Sequence, residues 1–192
     1  EEADVVTGSG NRHAILQDVQ KVLNGEETKV VDIRPHQKGE SFEELPMDRF
    51  ADHTRAFVKV EDGCNRRCAY CVIPRARGPV RSRSVEKCME YGKESLAFSG
   101  YHEITLLSLS TSDYRGLNEL CDGLMDYCES RGIGLSLPSL RADNFSMDIM
   151  QRVQKVRKSG LTFAAEAGSQ RLRDVINKNI TEEDLLTACT YA

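Results

Sequence analysis

Apolar residues recur at helical spacing between Asn11 and Asn24, where Ile15, Leu16, Val19, Val22 and Leu23 share one face and Gly25 supplies the stop. Lys29 to Ile33 is a short β-type run. Pro35 to Asp52 mixes Pro, Gly, Glu and Ser without a sustained period and reads as a linker. Phe57 to Val60 is a strand that leads directly into a cysteine-bearing loop. A regular alternation follows. Helices are predicted over Ser84–Phe98, Leu117–Ser130, Ser146–Lys158, Ser169–Asn177 and Thr181–Tyr191, with Thr181 as a natural N-cap. Strands are predicted over Glu103–Leu109, Ile133–Leu137 and Leu161–Ala165. Near-continuous apolar strands alternating with helices predict an α/β fold of parallel βαβ units with right-handed crossovers. In βα barrels the reactive groups sit at the C-terminal ends of strands. The cysteine loop follows the first strand of the series, as that rule requires.

Composition bounds the class. The 192 residues are 40% hydrophobic and 29% charged, as expected of a soluble globular protein. No apolar run approaches the ~20 residues of a membrane span, so no membrane association is expected. No secretory signal is expected and the seven cysteines are an odd number, which speaks against a disulfide framework and for a reducing, cytoplasmic setting. The net charge of −4 conceals an asymmetry. Residues 1–62 carry a balance of −6, residues 63–87 a balance of +6 and the remainder −4. The positive charge gathers around the cysteine loop. A basic island there suits a polyanion such as RNA or a carboxylate-bearing cofactor, and otherwise reads as a solvated arginine face.

The loop itself runs Gly63-Cys64-Asn65-Arg66-Arg67-Cys68-Ala69-Tyr70-Cys71. Thiolates hold iron–sulfur clusters, and a cubane 4Fe-4S cluster takes four ligands. Three cysteines leave one iron open, which implies chemistry rather than bracing. The alternatives are a zinc site or three unrelated thiols. Zinc favours paired C-x-x-C elements or added histidines, and His13, His36, His53 and His102 all lie outside the loop. Cys88, Cys121, Cys128 and Cys189 sit in predicted helices and read as small buried hydrophobes.

The C-x-x-x-C-x-x-C spacing resembles the signature of the radical S-adenosylmethionine (radical SAM) superfamily. The resemblance implies a partial (β/α) radical SAM barrel with about four βα units of the usual six. It implies that Cys64, Cys68 and Cys71 ligate a 4Fe-4S cluster whose open iron chelates SAM, and that the reduced cluster cleaves SAM to a 5′-deoxyadenosyl radical. It further implies a SAM site at the strand ends. Tyr70 would lie near the adenine, or else pack against the loop. Ser110 and Thr111 would meet the amino group, and Arg141 the carboxylate. Glu166 would accept the ribose hydroxyls, and Ser169 would reach the cofactor or cap a helix. An electron donor such as flavodoxin or ferredoxin is required.

Phe57 to Cys64, Ile73 to Arg83, His53 to Lys59 and Val5 to Arg12 resemble the tRNA methylthiotransferases, in the branch that thiomethylates threonylcarbamoyladenosine beside the anticodon. On that resemblance Arg75, Arg77, Arg81 and Arg83 meet tRNA phosphate. Residues 1–34 are then the end of an N-terminal domain, 35–54 a linker and 55–192 an incomplete radical SAM core. From Lys87 onward, Ile104–Thr111, Leu137–Arg141 and Gly160–Gly168 resemble a cobalamin-associated radical SAM group of unknown substrate. A third reading is a non-catalytic metal- or RNA-binding module. The methylthiotransferases carry a second 4Fe-4S cluster on three N-terminal cysteines. No cysteine precedes Cys64 here, so that cluster is expected only in a full-length protein, of which this chain reads as a fragment.

Overall fold

Strand and helix signals along the chain resolve into two sheets and a hairpin. The computed structural model describes residues 3–45, 53–144, 146–157 and 161–191. Strand β1 (Val5–Thr7), helix α1 (Ile15–Leu23) and strand β2 (Val30–Asp32) form one βαβ unit, its two strands parallel in the register Val5↔Val30 to Thr7↔Asp32. The helix predicted from Asn11 begins instead as a 3-10 turn, because Asn11 takes the left-handed region (φ 63°). The apolar stripe of α1 is largely uncovered among the described residues, with Leu16 and Leu23 both about three-quarters exposed.

The chain then enters the main sheet. Strand β3 (Ala56–Lys59) runs into the two-residue strand β4 (Glu61–Asp62). After the cysteine loop and the short helix α2 (Ile73–Ala76), strand β5 (Arg81–Ser82) pairs back on β4 antiparallel. The cysteine loop is thus the loop of a hairpin, a feature that the strand–helix alternation does not announce. Helix α3 (Val85–Ser99) starts on Ser84, whose side chain accepts from the Lys87 N–H, and stops at Gly100 in the left-handed region (φ 69°). Strand β6 (Glu103–Leu107), helix α4 (Leu117–Cys128), strand β7 (Gly134–Ser136) and helix α5 (Met147–Val156) follow, then helices α6 (Gln170–Val175) and α7 (Glu182–Tyr191). Thr181 caps α7 reciprocally with Asp184, each side chain accepting the other's backbone N–H at 3.1 and 2.8 Å.

The order β3-β6-β7 is parallel throughout, with Ala56↔Ile104 and Ile104↔Leu135 in register. Alternate residues Ala56, Val58, Ile104 and Leu106 are buried together with Leu120, Leu124 and Met125 of α4. A side chain added at Gly92 would come within 3.0 Å of Ile104 Cδ1 and 3.2 Å of Leu124 Cδ2, so glycine lets α3 approach the sheet closely. This is the first part of a (β/α) barrel wall.

The strand predicted over Leu161–Ala165 is reduced to one parallel bridge, Leu140↔Phe163. Two local causes lie on the partner side. Pro138 has no N–H to give the ladder, and Ser139 turns into the left-handed region (φ 60°). Residues 46–52 of the predicted linker lie outside the described residues, as does residue 158 of the predicted third helix of the barrel. The described part of the linker is tied down. Glu43 accepts from Arg12 Nε at 2.8 Å, Glu44 pairs with Arg83 at 2.9 Å, and the Arg83 guanidinium lies between the Phe42 and Tyr91 rings at 4.6 and 4.5 Å. No helix among the described residues is long and apolar enough to cross a membrane.

Candidate active site

The cysteine loop leaves β4 through Gly63, whose φ of 79° lies in the left-handed region; a side chain there would collide with the Pro79 carbonyl. The two ends of the loop are closed by the Cys64 N–H on Gly78 O (3.1 Å) and the Val80 N–H on Asn65 Oδ1 (3.1 Å). Its crown is fixed from elsewhere in the fold. Arg66 makes two hydrogen bonds to Asp113, at 3.0 and 2.6 Å, beyond the end of β6. The Ala69 N–H donates to Ile176 O (2.9 Å) and Asn177 Nδ2 to Arg67 O (2.8 Å), both from the segment after α6.

All three loop thiols are partly exposed. Burial pushes the Cys64 thiol up, and so do the neighbouring charges of Asp113, Cys68 and Cys71, while the Arg66 N–H donated to its sulfur acts the other way. The three thiols therefore share one electrostatic neighbourhood. Among the described residues no three His, Cys, Asp or Glu side chains converge on a point as a single ion requires. Three free, partly exposed thiols on one loop fit the protein side of a cubane, which is ligated at separate corners.

Tyr70 and Glu166 come together beside Cys68. The Tyr70 hydroxyl is pushed up to about 12 by burial first, then by the negative charges of Cys68 and Glu166. Glu166 is held in the left-handed region (φ 65°), a conformation that strains a non-glycine residue and clusters at functional sites. Its Oε1 accepts from Lys178 Nζ at 3.2 Å.

The other predicted cofactor residues have internal partners. Ser110 Oγ donates to Asp113 at 2.8 Å, and Thr111 is fully buried, accepting from Ser108 Oγ at 3.3 Å. Arg141 is buried, makes two 2.8 Å hydrogen bonds to Asp143 and donates to Lys178 O at 2.9 Å. Ser169 caps α6 through the Leu172 N–H. Ser110 and Arg141 thus belong to the polar network that anchors Arg66 of the loop. Burial pushes Asp113 up, but the hydrogen bonds from Arg66 and Ser110 outweigh it and hold the carboxyl below its usual range.

Of the four arginines expected to meet RNA, Arg75 is exposed and Arg77 half-exposed. Arg81 is 4% exposed and bonds the Arg77 and Pro79 carbonyls, and Arg83 is 8% exposed between its two rings. Sequence reasoning passed over Asp113, Asn177 and Glu61. Asp113 and Asn177 follow turn-forming residues, which is the only local signal they carry, and Glu61 sits one residue past a predicted strand.

With this geometry in hand, the comparisons with known proteins are specific. Residues 58–192 match the model of the radical SAM superfamily, and the chain belongs to that superfamily. Membership implies a 4Fe-4S cluster and SAM. The threonylcarbamoyladenosine tRNA methylthiotransferase MtaB of Aquifex aeolicus is 30% identical over 194 aligned positions, covering 95% of this chain and 45% of that protein. That likeness continues past residue 86 into the second half. The ribosomal protein uS12 methylthiotransferase RimO of Synechococcus is 38% identical over 113 residues, 59% of this chain and 24% of that one. In fold, the chain is similar to the radical SAM methyltransferase TsrM of Kitasatospora setae, with TM-score 0.55, 16% identity, and coverage of 69% of this chain and 27% of that one. This confirms the partial barrel. The chain spans less than half the length of these relatives.

Proposed function

We propose that this chain is the radical SAM core of a tRNA methylthiotransferase that modifies an adenosine, working in the cytoplasm with a flavodoxin- or ferredoxin-type reductant. What carries the reading is the cysteine loop, pinned by Val80 just before β5 and by residues from beyond β6 and from beyond α6, in a chain whose likeness to a tRNA methylthiotransferase covers 95% of its length. Cys64, Cys68 and Cys71 hold the cluster, which supplies reductive cleavage of SAM when bound. Every other role belongs to the protein's own side chains. Tyr70 and Glu166 form the wall that receives SAM beside Cys68. Ser110 and Arg141 help set the position of the loop through Asp113 and Asp143, and Thr111 is buried beside Ser108 at the same strand end. Ser169 acts as a helix cap. Arg75 and Arg77 offer phosphate contacts, weakened by salt in proportion to the number of phosphates neutralised. Arg81 and Arg83 act from the interior, holding the hairpin and the tied-down linker. A second cluster and the sulfur step belong to a longer protein.

Anaerobic EPR of the reconstituted, reduced chain tests the reading. A 4Fe-4S signal that changes shape with SAM and disappears in Cys64→Ala, Cys68→Ala and Cys71→Ala is the expected result. A signal indifferent to SAM, or iron retained without the three cysteines, overturns it.

A further inference from the structure

Glu61 and Asp62 are neighbours on β4 and point to opposite sides. Asp62 is surrounded by cations, with Lys59 at 2.7 Å, Arg12 at 3.4 Å, Arg77 at 3.6 Å and Arg81 at 3.7 Å. Glu61 is equally buried, at 4% exposure, yet among the described residues no cation stands within 4.0 Å of it. Ser82 Oγ donates to its Oε1 at 2.5 Å and fixes the side chain. A carboxylate buried with no cation in contact, and with Arg115 acting on it only from beyond 4.0 Å, is costly.

The burial makes sense in one setting. Glu61 lines a cleft of about 760 Å³ that it shares with Cys64, Asn65, Ser84 and Arg115. Most polar groups of that cleft are occupied. Ser84 caps α3, while Arg66 and Ser110 are bound to Asp113. Arg115 is exposed and no carboxylate stands within 4.0 Å of it among the described residues. Glu61 and Arg115 are therefore the charged groups left to face an occupant, one an acceptor and the other a cation. The volume falls within the ~300–1,000 Å³ of small-molecule sites.

We propose that Glu61 is a specificity-determining residue that accepts the exocyclic N–H of an adenine nucleotide in this cleft, with Arg115 meeting its phosphate. The inference rests on the adenosine reading above and names the residue that reads the base. A carboxylate wall takes an N–H edge and repels an acidic side chain, so the cleft selects a nucleobase over an acidic peptide. A site built to bond an N–H also rejects the analogue that lacks it.

Calorimetric titration of the 192-residue chain tests this without any cluster. The probes are adenosine 5′-monophosphate and purine riboside 5′-monophosphate, which lacks the 6-amino group. Wild type is expected to bind the first about tenfold more tightly than the second, the worth of one hydrogen bond to a charged acceptor. Glu61→Gln, which keeps the shape and the Ser82 contact, is expected to remove most of that preference. Arg115→Ala, on an exposed residue, is expected to weaken both nucleotides alike. Four outcomes overturn the proposal: no nucleotide binding, an unchanged preference in Glu61→Gln, displacement of the nucleotide by S-adenosylhomocysteine, or an aspartate-rich peptide bound in its place. The EPR experiment judges the cluster reading separately, so either can fail while the other stands.

Discussion

Cys88, Cys121 and Cys128 lie in the layer of α3 and α4, fully buried, and burial pushes their thiols up to about 11, 12 and 11. Cys64, Cys68 and Cys71 lie on a half-exposed loop shaped by backbone hydrogen bonds, a left-handed glycine and ion pairs. One side chain thus serves two regions in opposite ways. In the helical layer it is a small hydrophobe among leucines, and its chemistry is suppressed. On the loop the thiols stay within reach of solvent and of one another. The energetics differ as well: apolar burial holds the first region, whereas directional polar contacts hold the second.

The largest expected effect breaks the loop while sparing the layer. Gly63→Ala places a Cβ against the Pro79 carbonyl in a left-handed conformation. Iron retained after reconstitution should fall to background, while far-UV circular dichroism keeps its helical signal. The reverse perturbation is Leu124→Ala, which empties a fully buried position of the layer and should cost about 2–5 kcal/mol in urea unfolding. A smaller effect concerns the anchor between the regions. Asp113 is held below its ordinary value of 3.8. Its contribution is complete above that value and is lost as pH falls through the lower folded value. Asp113→Asn should remove that part of the acid limb when urea midpoints are compared between about pH 2 and 5. The mildest test leaves the protein unchanged. In the apo chain at pH 8, iodoacetamide should label Cys64, Cys68, Cys71 and the exposed Cys189, and label the buried three only after denaturant is added.

Much of the barrel wall is legible in the sequence because its signals are local. Thr181 caps its helix as the sequence predicts, and the helix predicted from Ser84 starts on that residue as its cap. The strand starting at Glu103 is found with its start in place, since its near-continuous apolar run is buried on both faces and framed by turns. The fourth predicted strand is not legible, because its pairing depends on the backbone of another segment, Pro138 and Ser139. The site divides in the same way. The cysteine spacing is a short-range pattern and stands out. The long-range partners of Arg141 and Arg83, which sequence alone assigns to cofactor and RNA, are set by tertiary contacts with Lys178 O and with the Phe42 and Tyr91 rings. Glu61 and Asp62 make the limit plain. They are adjacent carboxylates, and only the hairpin shows that one is enclosed by cations and the other by a cleft.

The clasp of Asn177 on Arg67 spans 110 positions. Ribosomes add ~5–20 residues per second. The cysteine loop is therefore synthesised on the order of 5–20 s before its clasp. During that interval the thiols are present and the loop is still open on the side that Ile176 and Asn177 later cover. The order of synthesis thus makes the final shape of the loop a late event of folding, complete only after the segment beyond α6 has been made.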